Sequence, residues 1–151
     1  MKRRLALVAL VPLLIAPGGA SSPPVLDALL SDGRLTLPLA ELAGRVALPE
    51  GEGFALLELG RDAHTSHHVV AIRERETPHR HDRHDLFVVI LRGHGTMLLG
   101  EEERPVGLDS IFYVPRGTIH AFHNTSGAPA FAYAVYTPAF DGRDRTPVRT
   151  D

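Results

Sequence analysis

The stretch HRHDRHDLFVVILRG spans residues 79–93, and a second histidine-rich stretch, PRGTIHAFHN, spans residues 115–124. Side chains alternate between the two faces of a β-strand, so His79 and His81 are expected to point the same way. Two imidazoles on one face of a strand can bind the same metal ion, and imidazole is a common ligand of Zn, Cu, Fe and Ni. The first stretch therefore predicts a metal site that contains His79 and His81.

On either side of these stretches, short apolar and β-branched runs alternate with breaks rich in Gly, Pro, Asp and Asn. The runs cover residues 54–59, 68–73, 86–91, 96–99, 110–114, 119–123 and 130–136. Many short strands at near-regular spacing are typical of an all-β sandwich or barrel. We therefore predict an all-β domain over residues 53–140, followed by a charged, flexible tail over residues 141–151.

The N-terminal part of the chain has a different texture. Residues 1–20 combine a basic start, an apolar run over residues 5–16 and small residues up to Ala20, which indicates a secretory signal peptide cleaved after Ala20. We expect an extracytoplasmic protein, periplasmic or secreted, without stable membrane insertion after cleavage; the alternative is an uncleaved N-terminal anchor. Residues 21–52 form a predicted N-terminal extension, with short helical segments at residues 25–30 and 39–43, the second ended by Gly44.

Charge and composition exclude some functions. Residues 1–20 contain three basic and no acidic residues, so the remainder has 13 Lys and Arg against 18 Asp and Glu, a net charge of about −5. Nucleic-acid binding requires a basic surface, so we expect no nucleic-acid partner. The chain has no cysteine, so the fold must be held by core packing without disulfides.

Taken together, the two stretches resemble the two characteristic motifs of the cupin superfamily, and the resemblance extends over about residues 65–137. The matching positions are His79, His81 and Gly93 in the first motif and Pro115, Gly117, His120 and Asn124 in the second. The resemblance implies a small, single-domain bacterial protein with one jelly-roll barrel. It also implies that His79, His81 and His120 hold a divalent transition metal ion: Fe, Mn, Ni, Cu or Zn.

The sequence departs from the family pattern at one important position. Leu86 stands where the first motif has a metal-binding glutamate, and leucine cannot ligate a metal. His84 is the favoured replacement, because it shares strand parity with Leu86, and Asp85 is the alternative. A site with three histidines and solvent or substrate in the open positions is the remaining interpretation. A carboxylate would offset part of the ion's charge, whereas neutral imidazoles would leave it uncompensated.

Strand parity also predicts which side chains line the interior of the barrel. With His84 and His120 inward, the other inward residues are expected to be Leu86, Val88, Ile90, Phe112, Val114 and Phe122. This is a largely apolar chamber with no obvious general base. The residues expected to lie outside the site, or to serve turns and backbone groups, are His64, His67, His68, His94, Asp109, Gly117, His123 and Asn124.

The favoured functional interpretation is a metal-dependent cupin that acts on a small molecule. Three histidines suit a dioxygenase, and a Lewis-acid metal suits an isomerase or lyase. An alternative from another class is a non-enzymatic module that binds or senses a metal or small ligand. A barrel whose histidines act only in acid–base chemistry is a third interpretation. The family resemblance further suggests a homodimer.

Overall fold

The protein is described by a computed structural model over residues 22–30 and 33–149. The predicted signal peptide, residues 1–20, lies outside the described residues. At the N-terminal side, β1 (Val25–Leu30) pairs in antiparallel fashion with β2 (Gly33–Pro38). A 3-10 helix (Leu39–Glu41) and the short helix α1 (Leu42–Arg45) follow. No helix in the described part of the chain has the length and apolar character needed to span a bilayer.

Two five-stranded antiparallel sheets make up the rest of the fold. The first has the strand order β3 (Phe54–Arg61), β4 (Ser66–Ile72), β11 (Ala130–Thr137), β6 (Asp85–Arg92) and β9 (Ile111–Val114). The second has the order β12 (Thr146–Pro147), β5 (His79–Arg80), β10 (His120–Asn124), β7 (Gly95–Leu99) and β8 (Glu102–Val106). This is the predicted all-β jelly roll.

The inner faces of the two sheets enclose one apolar core. Its buried residues include Val70 from β4, Ile90 from β6, Phe122 from β10 and Ala134 from β11. These residues alternate along their strands with outward-facing neighbours, which is the period that brings one face of each strand to the core. The core therefore joins both sheets, and it surrounds the site described below.

A second apolar cluster lies on the outer face of the first sheet. Leu37, Leu42 and Val46 of the N-terminal segment pack there against Val69 and Phe131 of the two central strands. Strand β4 is consequently buried on both faces over most of its length. The N-terminal extension thus acts as a third layer that covers the outside of the barrel.

The helical prediction for residues 25–30 is wrong. These residues form β1, because their backbone groups pair with β2 in register from Val25–Pro38 to Leu30–Gly33. The pairing lets Leu26, Leu35 and Leu37 cover the first sheet, and this tertiary burial outweighs local helix propensity. The second helical segment lies where it was expected, but Gly44 belongs to α1 and does not end it.

The C-terminal residues pack against the barrel, although the sequence predicts a flexible tail from residue 141. Strand β12 pairs with β5, and Asp144 is only 5% exposed. The Asp144 carboxylate accepts hydrogen bonds from the backbone amides of Asp82 and Arg83. The charged composition of this segment suggested solvent exposure, but the charge of Asp144 is satisfied inside the fold.

Candidate metal centre

Three histidines come together at one end of the inner core. His79 and His120 lie directly opposite each other on the paired strands β5 and β10. His81 follows two residues after His79 and turns to the same side. The ring centroids of His79 and His120 are 4.3 Å apart, and that of His81 lies 5.2 Å and 5.3 Å from them. One ring nitrogen from each residue lies within 4.8 Å of those of the other two.

Hydrogen bonds fix which nitrogen of each ring is free. Nδ1 of His79 donates to the carbonyl of Thr77 at 2.9 Å, and Nδ1 of His120 donates to the carbonyl of Thr118 at 3.1 Å. Nδ1 of His81 donates to the backbone carbonyl of Asp144. A carbonyl only accepts, so Nδ1 carries the proton and Nε2 presents its lone pair.

The donor set fits a transition metal. Nε2 of His81 is buried and has no hydrogen-bond partner among the described residues. A buried ring nitrogen without a partner costs free energy unless a metal ion or ligand binds it. Histidines that ligate a metal characteristically donate their other N–H to a carbonyl or carboxylate, as all three do here. Neutral imidazole suits Zn, Cu, Fe and Ni.

The surroundings hold these rings in the neutral form that binds metals. Burial, reinforced by the neighbouring His120, lowers the pKa of His79 from 6.5 to about 3. Burial likewise lowers the pKa of His120 to about 4, and it lowers the pKa of His81. At neutral pH the triad therefore offers lone pairs without first having to release protons.

His84 and Asp85 lie outside this group. His84 is buried, as its parity predicts, but its Nδ1 lies 2.5 Å from the Asp144 carboxylate and its Nε2 lies 3.3 Å from the carbonyl of Ala139. Asp85 is bound by Arg116, whose Nη2 lies 2.8 Å from Oδ2. Both fourth-ligand candidates thus have other partners, and among the described residues the group of nitrogens within 4.8 Å of one another contains His79, His81 and His120.

The triad forms part of the wall of a cavity of about 300 Å³. Leu86, in the position where the family motif has glutamate, faces this cavity and is 4% exposed. Most of the wall is apolar, as predicted: the lining residues include Val88, Ile90, Phe112 and Phe122. Val114 belongs to the same buried core. The cavity is at the small end of the range of ligand pockets.

The cavity also contains three polar groups that sequence reasoning missed: Glu76, Tyr136 and Arg145. Burial raises the pKa of Glu76, although the positive charge of Arg145 opposes the shift. Oε2 of Glu76 accepts a hydrogen bond from the backbone amide of Phe122 at 3.1 Å. Burial and the charge of Glu76 raise the pKa of Tyr136.

Nothing in the local sequence distinguishes the two charged residues from surface positions. Glu76 ends the stretch RERE at residues 73–76, and Arg145 ends the stretch RDR at residues 143–145. Such runs usually belong to solvated loops. Only the tertiary pairing of β12 with β5 brings Arg145 to the cavity.

The remaining motif residues have structural roles. Nδ2 of Asn124 donates to the backbone carbonyls of Arg73 at 2.8 Å and Ala128 at 2.7 Å, which confirms the prediction that this side chain serves backbone groups. Gly117 has φ +78°, a conformation that favours glycine. His123 and His94 are exposed, as expected. His68 is buried beside Tyr136 and donates to or accepts from Ser66 Oγ at 2.9 Å.

Comparison with known proteins agrees with this architecture. The family model of the cupin domain matches residues 66–136. An uncharacterised protein of Aquifex aeolicus is 30% identical over 93 residues, which is 62% of this chain and 76% of that protein. The chain therefore contains a cupin domain. The matched segment of this cupin includes the whole histidine triad.

Solved structures share the cupin fold. KdgF from Halomonas sp. has a TM-score of 0.57 and 20% identity, covering 62% of this cupin and 86% of that chain. Streptomyces Pac13, whose variants were solved with uridine, has a TM-score of 0.56 and 22% identity, covering 71% and 88%. Pac13 is a nucleoside dehydratase. At these identities the likeness concerns the fold alone.

Proposed function

We propose that this cupin binds one divalent transition metal ion, Fe, Mn, Ni, Cu or Zn, on His79, His81 and His120 and acts on a small molecule in the adjoining cavity. One observation carries the proposal. Each of the three rings donates Nδ1–H to a backbone carbonyl, so three Nε2 lone pairs face a common space at the wall of an apolar cavity.

Different residues of the chain have different roles at this site. The carbonyls of Thr77, Thr118 and Asp144 orient the imidazoles, and the apolar walls exclude water, which strengthens electrostatic interactions inside the cavity. A metal held there would supply Lewis acidity towards a carbonyl or hydroxyl oxygen or, if redox-active, electrons for dioxygen chemistry. If His84 and Asp85 keep their other partners, a metal held by the three histidines would have coordination positions for the substrate.

Among these reaction classes we favour an isomerase or lyase over a dioxygenase. Both of the favoured reactions require a proton to be moved, and Glu76 is a carboxyl group on the cavity wall whose pKa is raised by burial. Its Oε2 is held by the amide of Phe122, so Oε1 is the atom that would accept or return the proton. A dehydratase with the same fold, Pac13, is consistent with this class.

Metal analysis of single variants tests the proposal. We expect His79→Ala, His81→Ala and His120→Ala each to lose most of the bound metal, measured per protein by elemental analysis after loading. His123→Ala is the matched control, because His123 lies on the same strand as His120 but is exposed on the opposite face. Full metal content in the three triad variants would contradict the proposal.

From residues 1–20 alone we also infer an extracytoplasmic location, and from the family resemblance a homodimer. N-terminal sequencing of the protein from a cell envelope fraction should begin at Ser21. Light scattering during size-exclusion chromatography should give twice the chain mass. Recovery of the full-length chain from the cytoplasm, or a monomer mass, would contradict the respective inference.

A further inference from the structure

Arg145 brings a positive charge to the same cavity. It lines the wall together with the triad, and its charge lowers the pKa of His79, His81 and His120. Among the lining residues, the charged groups are Arg145 and Glu76. Within an otherwise apolar chamber, a guanidinium is a strong recognition element for an anion.

The hydrogen-bonding capacity of Arg145 is only partly used. Its Nη2 lies 3.7 Å from Glu76 Oε1, which is close enough for an ion pair but longer than a hydrogen bond. By contrast, Arg116 reaches Asp85 with two side-chain hydrogen bonds, at 3.1 Å and 2.8 Å. A guanidinium has five N–H donors in a planar fork, so Arg145 retains donors for a ligand.

The fold holds Arg145 in place on both sides. The preceding residue, Asp144, is buried and fixed by the amides of Asp82 and Arg83, and the following residue, Thr146, pairs with Arg80 in β5. The guanidinium carbon lies 5.6 Å from the ring centre of Phe54, within range of a cation–π contact. A side chain anchored in this way loses little entropy when a ligand binds.

We propose that the ligand of this cavity is a small organic acid whose carboxylate binds to Arg145 and whose apolar body packs against Leu86, Ile90 and Phe112. The inference rests on the proposed function in one respect, that this cavity is the substrate site, and it adds the chemical class of the substrate. A carboxylate matches the guanidinium fork with two parallel hydrogen bonds, which a neutral amide cannot reproduce.

Glu76 is the group that opposes this assignment. Its negative charge would compete with a ligand carboxylate for Arg145 and would favour a cationic ligand instead. Burial raises the pKa of Glu76, and because this shift disfavours the negative charge, it weakens the competition. Arg145 therefore favours an anionic ligand, whereas Glu76 favours a cationic one. Probes that differ only in the charge of the head group distinguish the two.

Hexanoate, hexanamide and hexylamine are suitable probes, because they share one apolar body and differ only in the head group. We would titrate each into the metal-free and the metal-loaded protein by isothermal titration calorimetry. Hexanoate should bind about tenfold more tightly than hexanamide in both forms, as expected for a charge-assisted bidentate contact. Arg145→Gln should remove this preference, whereas Arg145→Lys, which keeps the charge without the fork, should retain part of it.

Glu76→Gln is the matched variant on the facing group, and it should bind hexanoate as tightly as the wild type or more tightly. Several results would overturn the proposal: no hexanoate binding at millimolar concentrations, equal affinities for hexanoate and hexanamide, a preference that survives in Arg145→Gln, or tightest binding of hexylamine. The metal content of the same samples is measured separately. Loss of the carboxylate preference with an intact metal site, or the reverse, shows which proposal fails.

Discussion

His81 is oriented by a residue 63 positions later in the chain, since its Nδ1–H is accepted by the backbone carbonyl of Asp144. The carboxylate of the same residue binds the amides of Asp82 and Arg83 and the ring of His84. Burial alone would raise the pKa of Asp144, but these hydrogen bonds outweigh it and lower the pKa to about 2. Asp144 is thus the positioning residue that links the C-terminal segment to the triad.

Asp144→Ala should affect both stability and metal binding. It removes the acceptor of two buried amides and one imidazole, so the free energy of unfolding should fall by about 2–4 kcal/mol in urea denaturation. The metal affinity, measured by chelator competition, should fall about tenfold, because the lost carboxylate fixes the segment whose backbone carbonyl orients His81.

Asp141→Ala is the control for this experiment. Asp141 pairs with Arg83 at 2.8 Å, but its side chain is 43% exposed, so its removal should have little effect on stability. The metal affinity of this variant should equal that of the wild type. Equal effects of the two substitutions on metal affinity would show that Asp144 does not position the triad.

Asp85→Asn tests the carboxylate that the sequence left open as a ligand. Hydrogen bonds from Arg116 lower the pKa of Asp85 from 3.8 to about 2, so the pair stabilises the folded state above pH 3.8 and loses this effect as the pH falls towards 2. Arg116 is 53% exposed and solvent screens the pair, so the variant should lose less than about 1 kcal/mol at neutral pH.

The pH dependence of that loss is measurable by denaturation at several pH values. The difference in stability between the wild type and Asp85→Asn should shrink between pH 4 and pH 2, because the wild-type carboxylate becomes protonated over that interval. Bound metal at neutral pH should be unchanged. Substantial loss of metal in Asp85→Asn would restore this residue as a ligand.

At the scale of elements, the N-terminal layer should stabilise the barrel without contributing to the site. Leu42 in α1 is fully buried between the N-terminal segment and the outer face of the first sheet. Leu42→Ala should lower the free energy of unfolding by about 2–4 kcal/mol through lost burial and a residual cavity. The metal content of the folded variant should stay at the wild-type value.

Leu29→Ala provides the comparison, because Leu29 is 86% exposed in β1. Its substitution should change the stability by no more than about 0.5 kcal/mol. If both variants were equally stable in urea denaturation, the outer cluster would not contribute to the stability of the barrel.

The alternation of apolar and polar residues predicted the strands with a buried face, but it did not predict every strand of the two sheets. The runs at residues 54–59, 86–91 and 130–136 correspond to β3, β6 and β11, because their alternation records which face is buried. Strand β8 was missed because its sequence, EERPV, is charged and contains proline. It lies at the edge of its sheet, where charges and proline are tolerated.

The residues of the site likewise fall into some that the sequence predicted and some that it did not. His79 and His81 follow from strand periodicity, and the family resemblance adds His120; the inward direction of Leu86 and Phe122 follows from parity. Glu76, Arg145 and Asp144 depend on contacts between segments distant in sequence, such as the pairing of β12 with β5. The alternation of side chains along a single strand carries no information about such contacts, so these residues could not be predicted from the sequence.

At the scale of the whole molecule, the two sheets and the C-terminal segment together place three imidazoles, a carboxyl group and a guanidinium around one apolar space. The second sheet supplies His79 and His120, the loop after β5 supplies His81, and the C-terminal segment supplies Arg145. We propose that the three imidazoles form the protein part of a metal coordination shell with positions left for a ligand.

X-ray absorption spectroscopy of the metal-loaded protein at neutral pH tests this claim most directly. We expect scattering from three imidazoles with the remaining positions filled by light oxygen or nitrogen atoms from solvent, and we expect the imidazole number to stay the same when hexanoate is added. The same measurement on His84→Gln should give an unchanged imidazole number, since His84 is bound by Asp144. Four imidazoles in the wild type that fall to three in His84→Gln, or fewer than two in the wild type, would contradict the account.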